Sequence, residues 1–120
     1  MLNHLPDNNI PYWDYIFVDG SHAPRDSSSA VISACGLYEM CNYIPENSSD
    51  WIIFKNAGNM MLEAVIDNCM LNYDSYDGLI CHVTHAFPQG QGIDECAVYG
   101  DYFFLEALLR YVRPDFKKYW

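Results

Sequence analysis

Two stretches of this sequence encode helices with almost no polar face. In Pro24–Met40, PRDSSSAVISACGLYEM, Asp26 stands at a helix-cap position and Ser27–Ser29 fill the first turn. Ala30, Val31, Ala34, Cys35, Leu37 and Tyr38 then leave the helix nearly without a wet side. In Tyr99–Arg110, YGDYFFLEALLR, Gly100 reads as a break. Asp101 reads as the cap, its carboxylate accepting from the backbone N–H of Phe103 or Phe104. Phe104, Leu105, Leu108, Leu109 and Val112 follow at helical spacing. Glu106 and Arg110 form an i,i+4 pair of the favourable orientation. A helix that is apolar all round belongs inside a larger packed body.

A third helix differs in kind. From about Trp51 to Asn72, the residues Trp51, Phe54, Gly58, Met61, Leu62, Val65 and Cys69 trace one apolar stripe, while Asn56, Asn59, Glu63 and Asp67 trace a wet one. Ser49 or Asp50 is its expected cap. Such an amphipathic helix suits an outer layer over an inner, apolar one. The first helix is expected over Ser27–Asn42, stopped by Pro45. The last is expected to start after Asp101 and end near Arg113, with Arg113, Lys117 and Lys118 suiting its negative end. Tyr15–Val18 and Leu79–Val83 are expected as short strands, with a turn at Tyr73–Gly78. Met1–Ala23 and Thr84–Gly100 read as loops.

The reading is therefore all-α: three helices, long loops and a little strand. At 120 residues the chain is long enough for one domain. Its 51% hydrophobic content argues against disorder. Structureless connections beyond about 12–15 residues are nevertheless uncommon inside a compact domain. This chain needs more than one, so the expectation is a single domain, 1–120, that is itself a piece of a larger one.

Charge excludes some partners. Six basic against sixteen acidic residues give a net charge of −10, and before position 100 only Arg25 and Lys55 are basic. Nucleic acid and anionic membrane surfaces are not the expected partners. No apolar run approaches the roughly 20 residues of a membrane span. The first residues lack the basic and apolar regions of a signal peptide, so the chain reads as cytoplasmic. The five cysteines, Cys35, Cys41, Cys69, Cys81 and Cys96, are odd in number and contain no CxxC. They read as reduced, with Cys35 and Cys69 as small core residues.

Four segments taken in order carry a family resemblance: IPYWDY (Ile10–Tyr15), APRDSSSAVISACGLYEM (Ala23–Met40), HVTHAFPQG (His82–Gly90) and YGDYFFLEALLR (Tyr99–Arg110). Together they resemble the last third of glycoside hydrolase family 88, the unsaturated glucuronyl hydrolases. The resemblance covers roughly Ile10 to Arg113. It implies the C-terminal part of an (α/α)6 toroid, a six-hairpin barrel of inner and outer helices, which agrees with the helix types above. It also implies an activity. An aspartic acid protonates the C4=C5 vinyl ether of an unsaturated uronic acid at the non-reducing end of an oligosaccharide. Water adds, and the resulting hemiketal opens to release the rest of the chain. No cofactor is implied.

The catalytic aspartates of that family belong to its N-terminal two thirds, so no catalytic residue is expected in this chain. The implied partners are the unsaturated oligosaccharide and the N-terminal part of the barrel. The expected substrate-binding positions are His82, Val83, Thr84, His85 and Ala86, which match the loop that forms the subsite beyond the cleaved bond, together with Trp13 at the barrel mouth. His82, His85 and Thr84 offer hydrogen bonds to sugar hydroxyls. Val83 and Ala86 offer none, which argues against a preference for sulfated substrates. Two readings of other classes stand beside this one. Cys81, His82, His85 and Cys96 could form a zinc module, although a C-H-x2-H-x10-C order is not a familiar zinc spacing. The chain could instead be a non-catalytic acidic interaction module.

Overall fold

The computed structural model describes residues 2–72 and 77–116. Three α-helices form the body: α1 (Ser27–Met40), α2 (Ser49–Cys69) and α3 (Val98–Val112). Single 3-10 turns occur at Leu2–His4 and Phe87–Gln89. The all-α reading holds. Among the described residues there is no strand, only isolated bridges such as Tyr12 with Arg25 and Val83 with Glu95. Neither expected strand forms. Tyr15–Val18 is an irregular turn in which the Ile16 N–H donates to the Asp14 carboxylate. Leu79–Val83 instead joins the loop described below. The turn expected at Tyr73–Gly78 lies largely outside the described residues, as do Lys117 and Lys118.

Helix α1 starts where its cap says it should. Asp26 is extended, and its Oδ1 accepts from the Ser28 N–H at 3.2 Å. The helix ends at Met40, five residues before Pro45, in two further turns closed by Asn42 N–H to Glu39 and Tyr43 N–H to Met40. The cap of α2 is Ser48 rather than Ser49 or Asp50: its hydroxyl accepts from the Trp51 N–H at 3.2 Å. The left-handed backbone of Asn47 (φ 64°) turns the chain into that position. Helix α2 ends at Cys69, short of Asn72, because Met70 turns extended and the chain beyond it pairs with the 79–81 segment. The Leu71 N–H reaches the Leu79 carbonyl and the Cys81 N–H reaches the Cys69 carbonyl, each at 2.9 Å.

Helix α3 departs most from expectation. It begins at Val98, a turn before Asp101, and its N-cap Ala97 has no side-chain cap. Gly100 does not break the chain. It is buried inside the first turn of the helix, and a Cβ there would meet Val83 Cγ2 at 2.9 Å. Gly100 therefore supplies close approach between α3 and the loop, the other use of glycine in a packed element.

Helix α1 lies in the middle, packed on both α2 and α3, while α2 and α3 scarcely touch. Its Ala30, Val31 and Ala34 are completely buried, against Met61, Leu62 and Val65 of α2. Each buried Val, Leu or Met among these contributes about 1.5–3 kcal/mol and each Ala methyl about 0.8 kcal/mol, upper figures since an unfolded chain already hides some surface. Gly58 lets the Tyr38 ring approach: a Cβ would lie 2.8 Å from Tyr38 Cε1. The Tyr38 hydroxyl then donates to Asn59 Oδ1 at 3.0 Å. The apolar stripe read on α2 is the buried one, from Gly58 through Met61, Leu62 and Val65 to Cys69.

The apolar faces of α1 and α3 are not fully covered. Ile32 and Met40 of α1 are exposed. On α3 only Phe104 of the expected stripe is buried, with Leu108 partly so. Leu105, Leu109 and Val112 face outward with Val98 and Tyr102. These five recur at spacings of four and three, an apolar seam along one side of the helix.

Candidate substrate-binding loop

The segment between α2 and α3 is folded onto the N-terminal ends of α1 and α3. Its base is held by Asp101, whose Oδ1 accepts from the Leu79 and Ile80 N–H groups at 3.0 and 3.1 Å. Asp101 thus serves the loop and does not cap α3. Next, the Ser27 hydroxyl donates to the Cys81 carbonyl at 2.6 Å and the Ser27 N–H to the His82 carbonyl at 2.9 Å. Asp26 Oδ1, already the cap of α1, also accepts from the Thr84 N–H at 3.3 Å. The Thr84 hydroxyl donates to the Arg25 carbonyl at 2.8 Å and accepts from the Asp94 N–H at 3.4 Å.

Beyond this base the chain makes an irregular hairpin. Val83 and Glu95 exchange both backbone hydrogen bonds, and the His85 N–H reaches the Gly92 carbonyl at 2.7 Å. The 3-10 turn Phe87–Gln89 forms the tip and closes on Gly90, which is left-handed at φ 66°. Trp13 packs on this tip, its ring centroid 6.1 Å from that of Phe87. It is carried there by the pairing of the 11–13 segment with 24–26, in which the Trp13 N–H donates to the Pro24 carbonyl and the Asp26 N–H to the Pro11 carbonyl.

The six expected binding residues are therefore brought into one region, on two kinds of footing. Val83 and Thr84 are 1% and 3% exposed, Val83 against Gly100 and Thr84 spent on the loop's own hydrogen bonds. His82, His85, Ala86 and Trp13 lie at or near the surface. His85 sits beside the Tyr99 ring, with centroids 6.3 Å apart. His82 Nδ1 pairs with Asp94 Oδ1. Both residues of that pair have left-handed backbone, φ 62° and 58°. Such geometry is uncommon for residues other than glycine, though less so for Asp and His. With Nδ1 engaged by a carboxylate, Nε2 is the nitrogen a ligand would meet.

Arg25, which sequence reasoning passed over, borders the same region. Its guanidinium lies 3.7 Å from the centre of the Tyr12 ring and donates to the Ile10 carbonyl and to Asp19. Together with Asn8, Ile10, Asn68, Cys69 and His82 it lines a small cavity of about 180 Å³. Burial pushes the Asp26 carboxyl above its usual range, against the opposing pull of its hydrogen bonds from Ser28 and Thr84. Burial, and then the charge of Asp26, raise the nearby Tyr99 phenol.

The zinc arrangement does not form. Among the described residues no group of three or more His, Cys, Asp or Glu could hold a metal ion. His82 is turned to Asp94 and His85 to Tyr99, while the Cys81 thiol points back to the Cys69 carbonyl at 3.3 Å. Asp94 and Glu95 are both exposed, and Asp94 is the partner of His82. Asp26 and Asp101 are both committed to backbone amides. The exposed part of the loop offers imidazoles and aromatic faces, groups that hydrogen-bond and stack on a polar ring.

No protein-family model matches the chain. It is 40% identical over 121 residues to the unsaturated chondroitin disaccharide hydrolase of Streptococcus agalactiae serotype III (strain NEM316), covering 99% of this chain and 30% of that protein. The solved structure of a mutant unsaturated glucuronyl hydrolase from S. agalactiae, complexed with dGlcA-GalNAc6S, superposes with a TM-score of 0.92 at 39% identity, over 99% of this chain and 32% of that one. A UGL mutant solved with dGlcA-Glc-Rha-Glc superposes with a TM-score of 0.88 at 30% identity, over 94% of this chain and 30% of the other. The chain spans about 30% of the length of the relatives it matches.

Proposed function

We propose, from the premise that this chain is a homologue of the unsaturated glucuronyl hydrolases, that it forms the C-terminal part of a six-hairpin glycosidase and carries one wall of its substrate site. In this reading α1 and α3 are inner helices of the barrel and α2 is an outer one. The rest of the barrel covers the apolar seam of α3. The whole protein hydrates the vinyl ether of an unsaturated uronic acid at the non-reducing end of a lyase-generated oligosaccharide. A carboxylic acid outside this segment delivers a proton to C4 and a water oxygen bonds to C5. The hemiketal so formed opens to a ketone at C5, freeing the ring oxygen as a hydroxyl on C1. That C1 hemiacetal then collapses to an aldehyde, its bond to the glycosidic oxygen breaks, and this oxygen leaves, protonated, with the shortened oligosaccharide. Protonating carbon requires an acid held near the operating pH, and Asp26 and Asp101 of this segment are committed to backbone amides.

What this segment contributes is binding. His82, His85 and Ala86, with Trp13 beside them, contact the sugar beyond the cleaved bond. Val83 and Thr84 act from below by fixing the loop. The observation that carries this reading is the close superposition, at 39% identity over 99% of the chain, on a relative solved with an unsaturated disaccharide.

The test is complementation. The 120-residue chain should not consume an unsaturated disaccharide, followed by loss of the C4=C5 absorbance. Coexpression with the remaining two thirds of a relative's barrel should restore turnover. Turnover by the chain alone would overturn the assignment of the catalytic acid to another segment. Binding of the disaccharide without any turnover on complementation would favour the interaction-module reading.

A further inference from the structure

We propose that Asp26 and Asp101 are positioning residues that set the height and orientation of the 79–86 loop over the ends of α1 and α3. The proposal rests on the binding role given to that loop and adds what controls it. Each carboxylate sits at the start of a helix, where the ordinary job is to satisfy the helix's own orphaned N–H groups. Neither does only that. Asp101, inside α3 and not at its cap, gives Oδ1 to two successive loop amides, Leu79 and Ile80. Asp26 divides one oxygen between Ser28 of its own helix and Thr84, 58 residues further along. The points held, 79–80 and 84, bracket His82. Between them the loop is pinned by Ser27 at Cys81 and His82, and pressed by Val83 against Gly100. The left-handed turn at His82 is thus fixed from both sides, and the imidazole is presented outward by a frame made of two helix starts. Hydrogen bonds to a charged acceptor are stronger and shorter than neutral ones, which suits carboxylates to this work.

The shape of the frame gives a discriminating experiment. Serine is as good an N-cap as aspartate, but its side chain is shorter. Asp26→Ser should keep α1 capped and release Thr84. Amide hydrogen exchange on the chain complemented with the rest of a relative's barrel should then quicken at Thr84 by on the order of tenfold, the loss of one charge-assisted bond, while the α1 amides stay as they were. Asp101→Ala should do the same at Leu79 and Ile80 without loosening the first turn of α3. In the complemented enzyme, Asp26→Ser should raise KM by about tenfold and leave kcat within about twofold, the mark of a lost binding contact. Asp26→Asn, which keeps the acceptor oxygen and the reach, should recover most of this. Unchanged exchange at Thr84 in Asp26→Ser, and at Leu79 and Ile80 in Asp101→Ala, would overturn the proposal. So would equal loosening of α1 and the loop. These exchange readings need no turnover, so an inactive complemented enzyme would count against the enzymatic reading and leave the positioning result to stand or fall by itself.

Discussion

A methyl group added at Gly100 would sit 2.9 Å from Val83 Cγ2 and 3.5 Å from Ile80 Cδ1. Two effects then compete. Alanine favours helix over glycine by about 1 kcal/mol. Overpacking a fitted contact costs about 1–3 kcal/mol, and the atoms it strikes belong to the buried floor of the loop. Gly100→Ala should therefore lower the thermal midpoint of the complemented enzyme, and Val83→Ala in the same chain should restore part of it. A stabilised Gly100→Ala would mean that the loop yields easily and that its floor is not rigid. The cysteines separate in the same residue-by-residue way. Burial pushes the Cys69 thiol up to about 12, with Cys81 and Asp94 adding to it, whereas Cys96 is exposed. An alkylating reagent at neutral pH should label Cys96 well before Cys69, as mass spectrometry would show, because the thiolate is the reactive form. The apolar character of Cys69 was legible in its place on the α2 stripe. The packing role of Gly100 was not: a glycine beside an aspartate looks like a stop and a cap, and only the partner across the contact distinguishes a break from a close approach.

At the scale of elements, α1 and α3 are tied by an ion triad around the buried Arg110, with Glu106 9% and Glu39 28% exposed. Arg110 is 5% exposed, and donates to Glu106 one turn back and to Glu39 across on α1, both at 2.8 Å. Burial pulls the guanidinium pKa down, but the hydrogen bonds and charges of Glu39 and Glu106 together outweigh it and raise it. Removing one member of a buried ion network leaves the others uncompensated, at a cost of about 3–5 kcal/mol. Arg110→Met should accordingly destabilise the complemented enzyme by several kcal/mol in denaturant titration, and adding Glu39→Gln and Glu106→Gln should recover much of the loss. A single Arg110→Met variant with unchanged stability would show that the triad is solvated in practice. Half of this triad could be read from sequence, because Glu106 and Arg110 are a local i,i+4 pair. Glu39 could not, since it lies 71 positions from its partner. The same division runs through the fold. Helices α1 and α2 were legible because their periodicity and caps are local. The hairpin over residues 83–95 was not, because its base is held by the Ser27 hydroxyl and the Asp26 and Asp101 carboxylates from distant helix starts, and because His82 and Asp94 take left-handed backbone that no glycine announces.

For the whole molecule, the deciding feature is what the three helices leave uncovered. Val98, Leu105 and Val112 on α3 are 83%, 54% and 64% exposed, and they line up with Tyr102 and Leu109. A lone exposed leucine is ordinary, but a continuous apolar seam is not, and patches beyond a few hundred Å² promote association. Opposing this is the net charge of −10, which keeps copies apart at neutral pH. The balance between the two should shift with pH. The 120-residue chain should bind a hydrophobic dye at neutral pH, and should associate more strongly as the pH falls toward 4.4, where the charge vanishes. Supplying the complementary part of the barrel should suppress dye binding by covering the seam. Replacing Leu105 and Leu109 with glutamate should also suppress it in the isolated chain, and should abolish complementation. The two outcomes together separate a seam that waits for the barrel from one that is merely sticky. Light scattering and dye fluorescence read both. A monodisperse 120-residue monomer with a sharp two-state melt and no dye binding would show that three helices suffice as a folding unit, and would turn the reading toward the interaction module.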